Sequence, residues 1–352
     1  SEVVRAKTAE LLGLVDEVRA VELLTKLLAD DDRLVRRKAA EAFVRSGTTP
    51  PFETLQRLLI SDDRTEAWAG RRLLERLDPE SYRELMLSTD NHRLFIQCAV
   101  ATMVAHPSKK ASYEVLARTA ELMNKFVSDR NFVDLLRIVE IALERGEVDP
   151  AAIPAFAESI ASEFPSGNSI MNRELARILA YLKSTEGADR IAEYLSSSGA
   201  SDLDKIHVAM MLQTIRTGWS KTQRLALIDF LERARSFEGG GSYAYYVMEA
   251  AKELGRSATD EEIEEILAKG DQWPNAAVGA FYRLPAHLPE RTVTAIRGID
   301  EKIVGADPED DAIKQLQVGI VAVLGRSGDD LSMAYLRKIW DRDPDRRGRD
   351  QG

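Results

Sequence analysis

One spacing constrains this chain more than any other feature. Amphipathic helical segments recur in pairs, and the second member of each pair begins anew roughly every 34 residues along the sequence. A unit of that size holds two helices and a turn. A lone hairpin leaves an apolar face open to water, so successive units must stack and share a core. The clearest pair is AVELLTKLLA, residues 20–29, and LVRRKAAEAFVRSG, residues 34–47, joined by Asp30-Asp31-Asp32. In the second helix Leu34, Val35, Ala39, Ala42 and Phe43 share one side of a 3.6-residue wheel, while Arg36, Arg37, Lys38 and Glu41 turn toward water or neighbouring turns. Gly47 supplies the stop, because glycine takes left-handed backbone angles without a Cβ clash.

The same grammar predicts pairs at 52–60 with 63–77, 79–88 with 91–105, 109–125 with 129–145 and 150–162 with 169–183. Further pairs are predicted at 186–196 with 202–216, 220–235 with 242–255, 259–268 with 273–284 and 288–303 with 309–325. A lone second-type helix at 2–13 precedes them and a partial unit at 329–341 follows. Asp149-Pro150 and Asp307-Pro308 read as helix starts. Ser220 with Gln223, and Thr259 with Glu262, fit capping boxes. Gly13, Gly47, Gly146, Gly218, Gly255 and Gly325 sit where helices should close. No β-branched alternation demands a sheet. The loosest loop is SFEGGGS, 236–242, so the chain reads as one continuous array over 1–352 with a mild break there. It starts at Ser1 directly in helical text and ends on a polar tail, which reads as a fragment of something longer.

The stretch Asp31 to Gly47 resembles the second helix of HEAT repeats, with Asp32, Val35, Arg36, Ala39, Ala40 and Gly47 matching that family's pattern. Val3 to Gly13 looks like the same helix without its partner. The resemblance implies an all-α fold, a right-handed α-solenoid of about nine HEAT-like (armadillo-like) helical hairpins plus partial terminal units. It also implies that Asp32 and Arg36 form a polar ladder between repeats. Later units depart from the pattern, with Glu66-Ala67-Trp68 and Arg93-Leu94-Phe95 in the corresponding places. A second likeness, Phe164 to Leu182, is to segments of large exported HEAT-containing proteins of planctomycete-type bacteria, some with c-type haem or dehydrogenase-like domains. It rests on Pro165, Asn172, Arg173, Glu174, Leu175, Ala176 and Leu179, and no CxxCH accompanies it. That likeness implies a bacterial envelope or extracellular origin.

Chemistry is sparse. The sequence carries no HExxH, no GxGxxG, no GxxxxGK[ST] and no GxSxG. The single cysteine, Cys98, lies in an apolar helix and reads as a buried structural thiol. The four histidines, His92, His106, His207 and His287, form no ligand motif. Acidic runs such as Glu261, Glu262, Glu264 and Glu265 fit helix N-termini. No catalytic, cofactor-binding or metal-ligating residues are therefore assigned. A formal net charge of −10 disfavours a nucleic-acid surface, although Arg33, Arg36, Arg37, Lys38, Arg71 and Arg72 cluster locally. No apolar run is long enough for a membrane span. Cytoplasmic, periplasmic and extracellular settings all stay open.

Two aromatic groups carry the functional reading. Tyr243, Tyr245 and Tyr246 follow the glycine-rich loop, near Trp219 and Phe237 in sequence, and Trp273 opens the next unit. Trp219, Phe237, Tyr243, Tyr245 and Trp273 are the candidate partner-binding residues, because aromatic side chains make wide contacts at interfaces. The alternative places Tyr246 and one neighbour in the core, and Trp273 between its two helices. The function expected is a non-catalytic protein-interaction scaffold with an unknown protein or intramolecular partner. The alternatives are a spacer in a larger exported multidomain enzyme or electron-transfer protein, and an enzyme or nucleic-acid-binding HEAT-like protein. Val3, Val4, Leu11 and Leu12 in the first half-unit suggest an apolar edge capable of self-association.

Overall fold

The computed structural model describes residues 1–15, 17–212 and 219–342. Every regular element among the described residues is helical. In the first part of the chain these are α1 (Glu2–Leu12), α2 (Val18–Leu27), α3 (Arg33–Ser46), α4 (Gln56–Leu59), α5 (Arg64–Leu74), α6 (Glu80–Ser88), α7 (His92–Ala105), α8 (Lys109–Met123), α9 (Asp129–Arg145), α10 (Pro154–Ser162) and α11 (Ser169–Leu182). Then come α12 (Thr185–Ser196), α13 (Asp202–Leu212), α14 (Lys221–Ala234), α15 (Tyr243–Arg256), α16 (Asp260–Ala268), α17 (Pro274–Phe281), α18 (Glu290–Ile303), α19 (Asp311–Ser327) and α20 (Asp330–Arg342). The all-α hairpin repeat expected from the sequence is what forms. The predicted extension of the helix before α14 to 216, and Gly218, lie outside the described residues.

The chain divides into two compact units, Ser1–Ile178 and Leu179–Gly352, with the division inside α11. The 236–242 loop lies within the second unit. In the first unit the second-type helices α1, α3, α5, α7 and α9 pack one on the next, and α2, α4, α6 and α8 pair with them. In the second unit α15, α17 and α19 stack in the same way, with α14, α16 and α18 as partners. The core is the seam between these rows. Val35, Phe43, Leu58, Leu73, Phe95, Leu135 and Leu175 are fully buried in the first unit. Ile191, Leu231, Ile266, Ile296, Leu316 and Ile320 do the same in the second.

Small residues set how near the rows come. A Cβ built on Gly13 would lie 2.8 Å from Ala42, so α1 touches α3 almost backbone to backbone. The approach of α15 to α17 is closer still. A Cβ on Gly255 would lie 2.1 Å from the Ala276 carbonyl oxygen, and one on Gly279 would lie 2.0 Å from the Lys252 carbonyl oxygen.

Several helix ends match the sequence signals. Asp32 caps α3 by accepting from the Leu34 and Val35 amides, and Gly47 closes it at φ 77°. Both capping boxes form, Ser220 with Gln223 on α14 and Thr259 with Glu262 on α16. Others differ. Asp149 caps a 3₁₀ turn, Pro150–Ala152, ahead of α10. Asp307 only opens a turn, accepting from the Glu309 amide at 2.9 Å, and Asp310 caps α19. Gly255 lies inside α15, and α19 runs through Gly325 to close at Gly328, φ 64°. Gly255 is there for the helix contact rather than for a stop.

Candidate partner-binding surface

In the first unit ion pairs join neighbouring repeats, with partners other than those the HEAT likeness implies. Arg36 projects from α3 and pairs with Glu66 on α5, both buried. Its Nη1 also donates to the carbonyls of Asp30 at 2.8 Å and Asp31 at 2.9 Å. Asp32 is spent on the α3 cap instead of bonding Arg36. The next unit's Glu66, which departs from the family pattern, is the partner. Ser61 donates to its other oxygen at 2.6 Å. Related rungs recur: Arg5 reaches Asp30 at 2.7 Å, Arg93 reaches Asp134 at 2.7 Å, and Arg137 reaches Glu174 at 3.1 Å. Every one joins neighbouring units, so these charges work as internal ties.

In the second unit four of the five candidate aromatics, Trp219, Phe237, Tyr243 and Trp273, lie against α14. Trp219 precedes the helix and shares a pocket of about 100 Å³ with Leu195, Gln223, Phe230 and Arg233. Phe237, just past the helix end, meets Phe230 edge-on with centroids 6.4 Å apart. Trp273 lies across the next hairpin, and its indole N–H donates to Asp229 at 3.1 Å. Asp229 in turn accepts from Arg233 at 3.1 Å, and the Arg233 guanidinium lies 6.0 Å from the Phe230 ring centre. The sequence reading missed Asp229 and Arg233. Their spacing of four on one helix was the available signal.

Burial sorts the candidates. Trp273 is 3% exposed and carries Lys269 over its ring at 4.4 Å, so it packs between helices and offers no surface to a partner. Tyr243 is half-buried against Gly239, and its hydroxyl donates to the Ala234 carbonyl at 2.8 Å. It caps the end of α14, and burial raises its phenol above the ordinary tyrosine range. Tyr245 and Tyr246 face water, each 61% exposed, with ring centres 5.8 Å apart at 69°. The alternative that Tyr246 and one neighbour pack in the core holds for the neighbour, Tyr243, and not for Tyr246. The first turn of α15 turns Tyr243 back onto the α14 end and leaves the next two aromatics outside. Tyr282, after α17, is exposed too, with Arg256 5.1 Å from its ring centre.

Two buried groups deserve their own chemistry. Cys98 is fully buried in α7, and desolvation pushes its thiol to about 12. Glu232 is buried on α14 and accepts from the Asn275 amide at 2.9 Å and the Ala276 amide at 2.8 Å. It thereby satisfies the start of α17 from a different helix. Burial raises its carboxyl to about 7, with Arg235 opposing. Among the described residues no three His, Cys, Asp or Glu side chains converge as a metal site. No described helix is long and apolar enough to cross a membrane.

Residues 1–75, which hold α1 to α5, match the family described as HEAT repeats. No curated protein matches the chain. Among solved structures, the crystal structure of Kap121p is similar over 92% of this chain and 43% of its own, at 11% identity and a TM-score of 0.41. The chain spans less than half the length of that protein.

Proposed function

We propose that this chain is a non-catalytic scaffold that binds protein partners through exposed aromatic groups on its second-type helices, with Tyr245 and Tyr246 as the anchor. The observation that carries the reading is the pair itself. Two large side chains stand in water, edge to face, on a helix whose backbone is locked against α17 at Gly255 and Gly279. Rigid aromatic groups lose little freedom on binding and bury much area, which is the character of an interface anchor. The HEAT likeness of residues 1–75 supports the same reading through the architecture, but a fold alone does not assign a function.

Tyr245→Ala with Tyr246→Ala in one chain tests it. The variant keeps the helical content and melting temperature of the wild type, because neither ring packs in the core. A partner identified by crosslinking to α15 on the wild type loses most of its affinity for the variant. Undiminished affinity for every such partner would remove the tyrosine pair from the site.

A further inference from the structure

One stripe of the first unit is far more basic than the chain that carries it. Residues 34, 37, 38, 41 and 45 of α3 recur at three- and four-residue steps, so they share one side of the helix, and all stand at least partly in water. Residues 64, 68, 71, 72, 75 and 76 do the same on α5 and just past its end. Two ties of equal sequence spacing set the register between the helices, Arg33 to Asp63 at 3.7 Å and Arg36 to Glu66. That register brings Lys38 abreast of Trp68, which is 45% exposed, with Arg64 and Arg72 one turn to either side of the indole. The carboxylates on the stripe are outnumbered. Glu41 serves both Arg37 at 2.7 Å and Lys38 at 2.8 Å. Glu75 serves both Arg71 at 3.4 Å and Arg72. Arg64 and Arg76 are exposed and pair with no carboxylate among the described residues, and Arg45 donates to the Glu10 carbonyl at 3.1 Å. Seven cations thus face two carboxylates, a local charge of +5 in a chain of net charge −10. Both flanks of the stripe are filled, since α1 packs on α3 and α7 on α5.

We propose that this stripe docks an acidic segment of a partner protein, its carboxylates on the arginines and one apolar side chain on Trp68. The chemistry is complementary at each point. A carboxylate shared by two cations leaves one of them without a counter-charge, and a partner aspartate or glutamate supplies it. Guanidinium forks take a carboxylate through two parallel N–H donors, so Arg72 and Arg76, one turn apart, suit two acidic residues in succession. The indole beside them offers a wide apolar anchor. The stripe runs for about 18 Å along α3, which an extended segment crosses in about six residues. The same arrangement favours a peptide over a nucleic acid. A duplex brings a phosphate about every 1.7 Å along its axis. Some of those would meet Glu41 and Glu75, or Asp31 and Asp62, which stand in water at the turns just before the two helices. A peptide carries its charges singly and can set them between these carboxylates. The stripe lies in a different unit from Tyr245 and Tyr246, so it goes beyond the tyrosine anchor and does not depend on it.

Fluorescence anisotropy with a labelled glutamate-rich peptide carrying one central leucine tests this on the full chain. The expected result is saturable binding at low salt that weakens as salt rises, because the contacts are exposed charge pairs. Trp68→Ala, and Arg72→Glu with Arg76→Glu, each weaken it about tenfold or more. Their circular dichroism melts stay close to the wild type, since the replaced side chains are in water. A coupling measurement separates contact from any loss of fold. Replacing the peptide's leucine by alanine weakens binding to the wild type and leaves binding to Trp68→Ala unchanged. Tyr245→Ala with Tyr246→Ala keeps the full affinity for the peptide, so this site and the tyrosine pair stand or fall separately. No binding at low salt overturns the proposal. So does binding untouched by the stripe variants, or equal binding of a peptide with glutamine in place of glutamate. Tighter binding of single- or double-stranded DNA than of the acidic peptide, lost in the same variants, would make the stripe a phosphate surface and overturn it as well.

Discussion

Replacing Arg36 with methionine tests whether the inter-repeat ladder holds the stack together. Methionine keeps most of the stem length and removes the guanidinium. Three interactions vanish: the ion pair to Glu66 and the donations to the Asp30 and Asp31 carbonyls. The carbonyls sit at a part-buried turn and find water, so they add little. Glu66 is different. At 1% exposure its charge would keep the Ser61 hydroxyl, 2.6 Å away, as its remaining hydrogen-bond donor. Stranding a buried charge this way costs about 3–5 kcal/mol. Removing both charges, Arg36→Met with Glu66→Met, replaces the pair by apolar volume and should come back to within about 1 kcal/mol of the wild type. Repeat arrays need not unfold in one step. Native-state hydrogen exchange at the α3 and α5 amides is therefore the assay, with urea unfolding as support. A single variant exchanging like the wild type, or a double variant as weak as the sum of both singles, would refute the ladder as a structural tie.

Other expectations are independent of that one. Glu232 holds its proton to about pH 7 in the folded chain, against about 4.3 for an unperturbed glutamate. Between those values the folded state binds the extra proton, so stability falls as pH rises from about 4 to about 7 and levels above it. Glu232→Gln flattens that slope in urea titrations and matches or exceeds the wild type above neutrality; an unchanged slope would move the titration elsewhere. Gly279→Ala drives a methyl against the Lys252 carbonyl, and backbone cannot step aside cheaply. An overpacking cost of about 1–3 kcal/mol exceeds the helix-propensity gain of about 1 kcal/mol, so the melting temperature drops; a rise would mean that α15 and α17 are not so close. Cys98 stays unreactive to an aromatic disulfide reagent in the native protein and reacts on unfolding, because it is buried and its thiol is pushed to about 12. Rapid native labelling would contradict that placement.

The hairpin order was legible because helix period, turn chemistry and glycine stops agree along the chain. The predicted 109–125 and 129–145 became Lys109–Met123 and Asp129–Arg145. Boundaries slipped where a signal had two uses. Asp307-Pro308 looks like a helix start, yet the turn it opens hands the cap to Asp310. Gly255 looks like a stop, yet it is needed where α17 approaches.

The site was harder to read. Side-chain direction at α15 depends on the angle at which the helix leaves the glycine-rich loop, and no local pattern fixes that angle. Tyr243 turned inward to the Ala234 carbonyl while Tyr246 turned out. The inter-repeat rungs were partly hidden for a similar reason. A glutamate at 66 does not look like the family's pattern, but it stands one repeat from Arg36, and stacking alone brings the two together.

The most direct test of the scaffold reading is crosslinking mass spectrometry of the chain in its own cells, with and without Tyr245→Ala and Tyr246→Ala. The expected result is a reproducible partner whose crosslinks fall on α15 and neighbouring second-type helices and disappear in the variant. Crosslinks confined to the protein's own polypeptide, unchanged by the variant, would contradict it and make the chain an internal spacer.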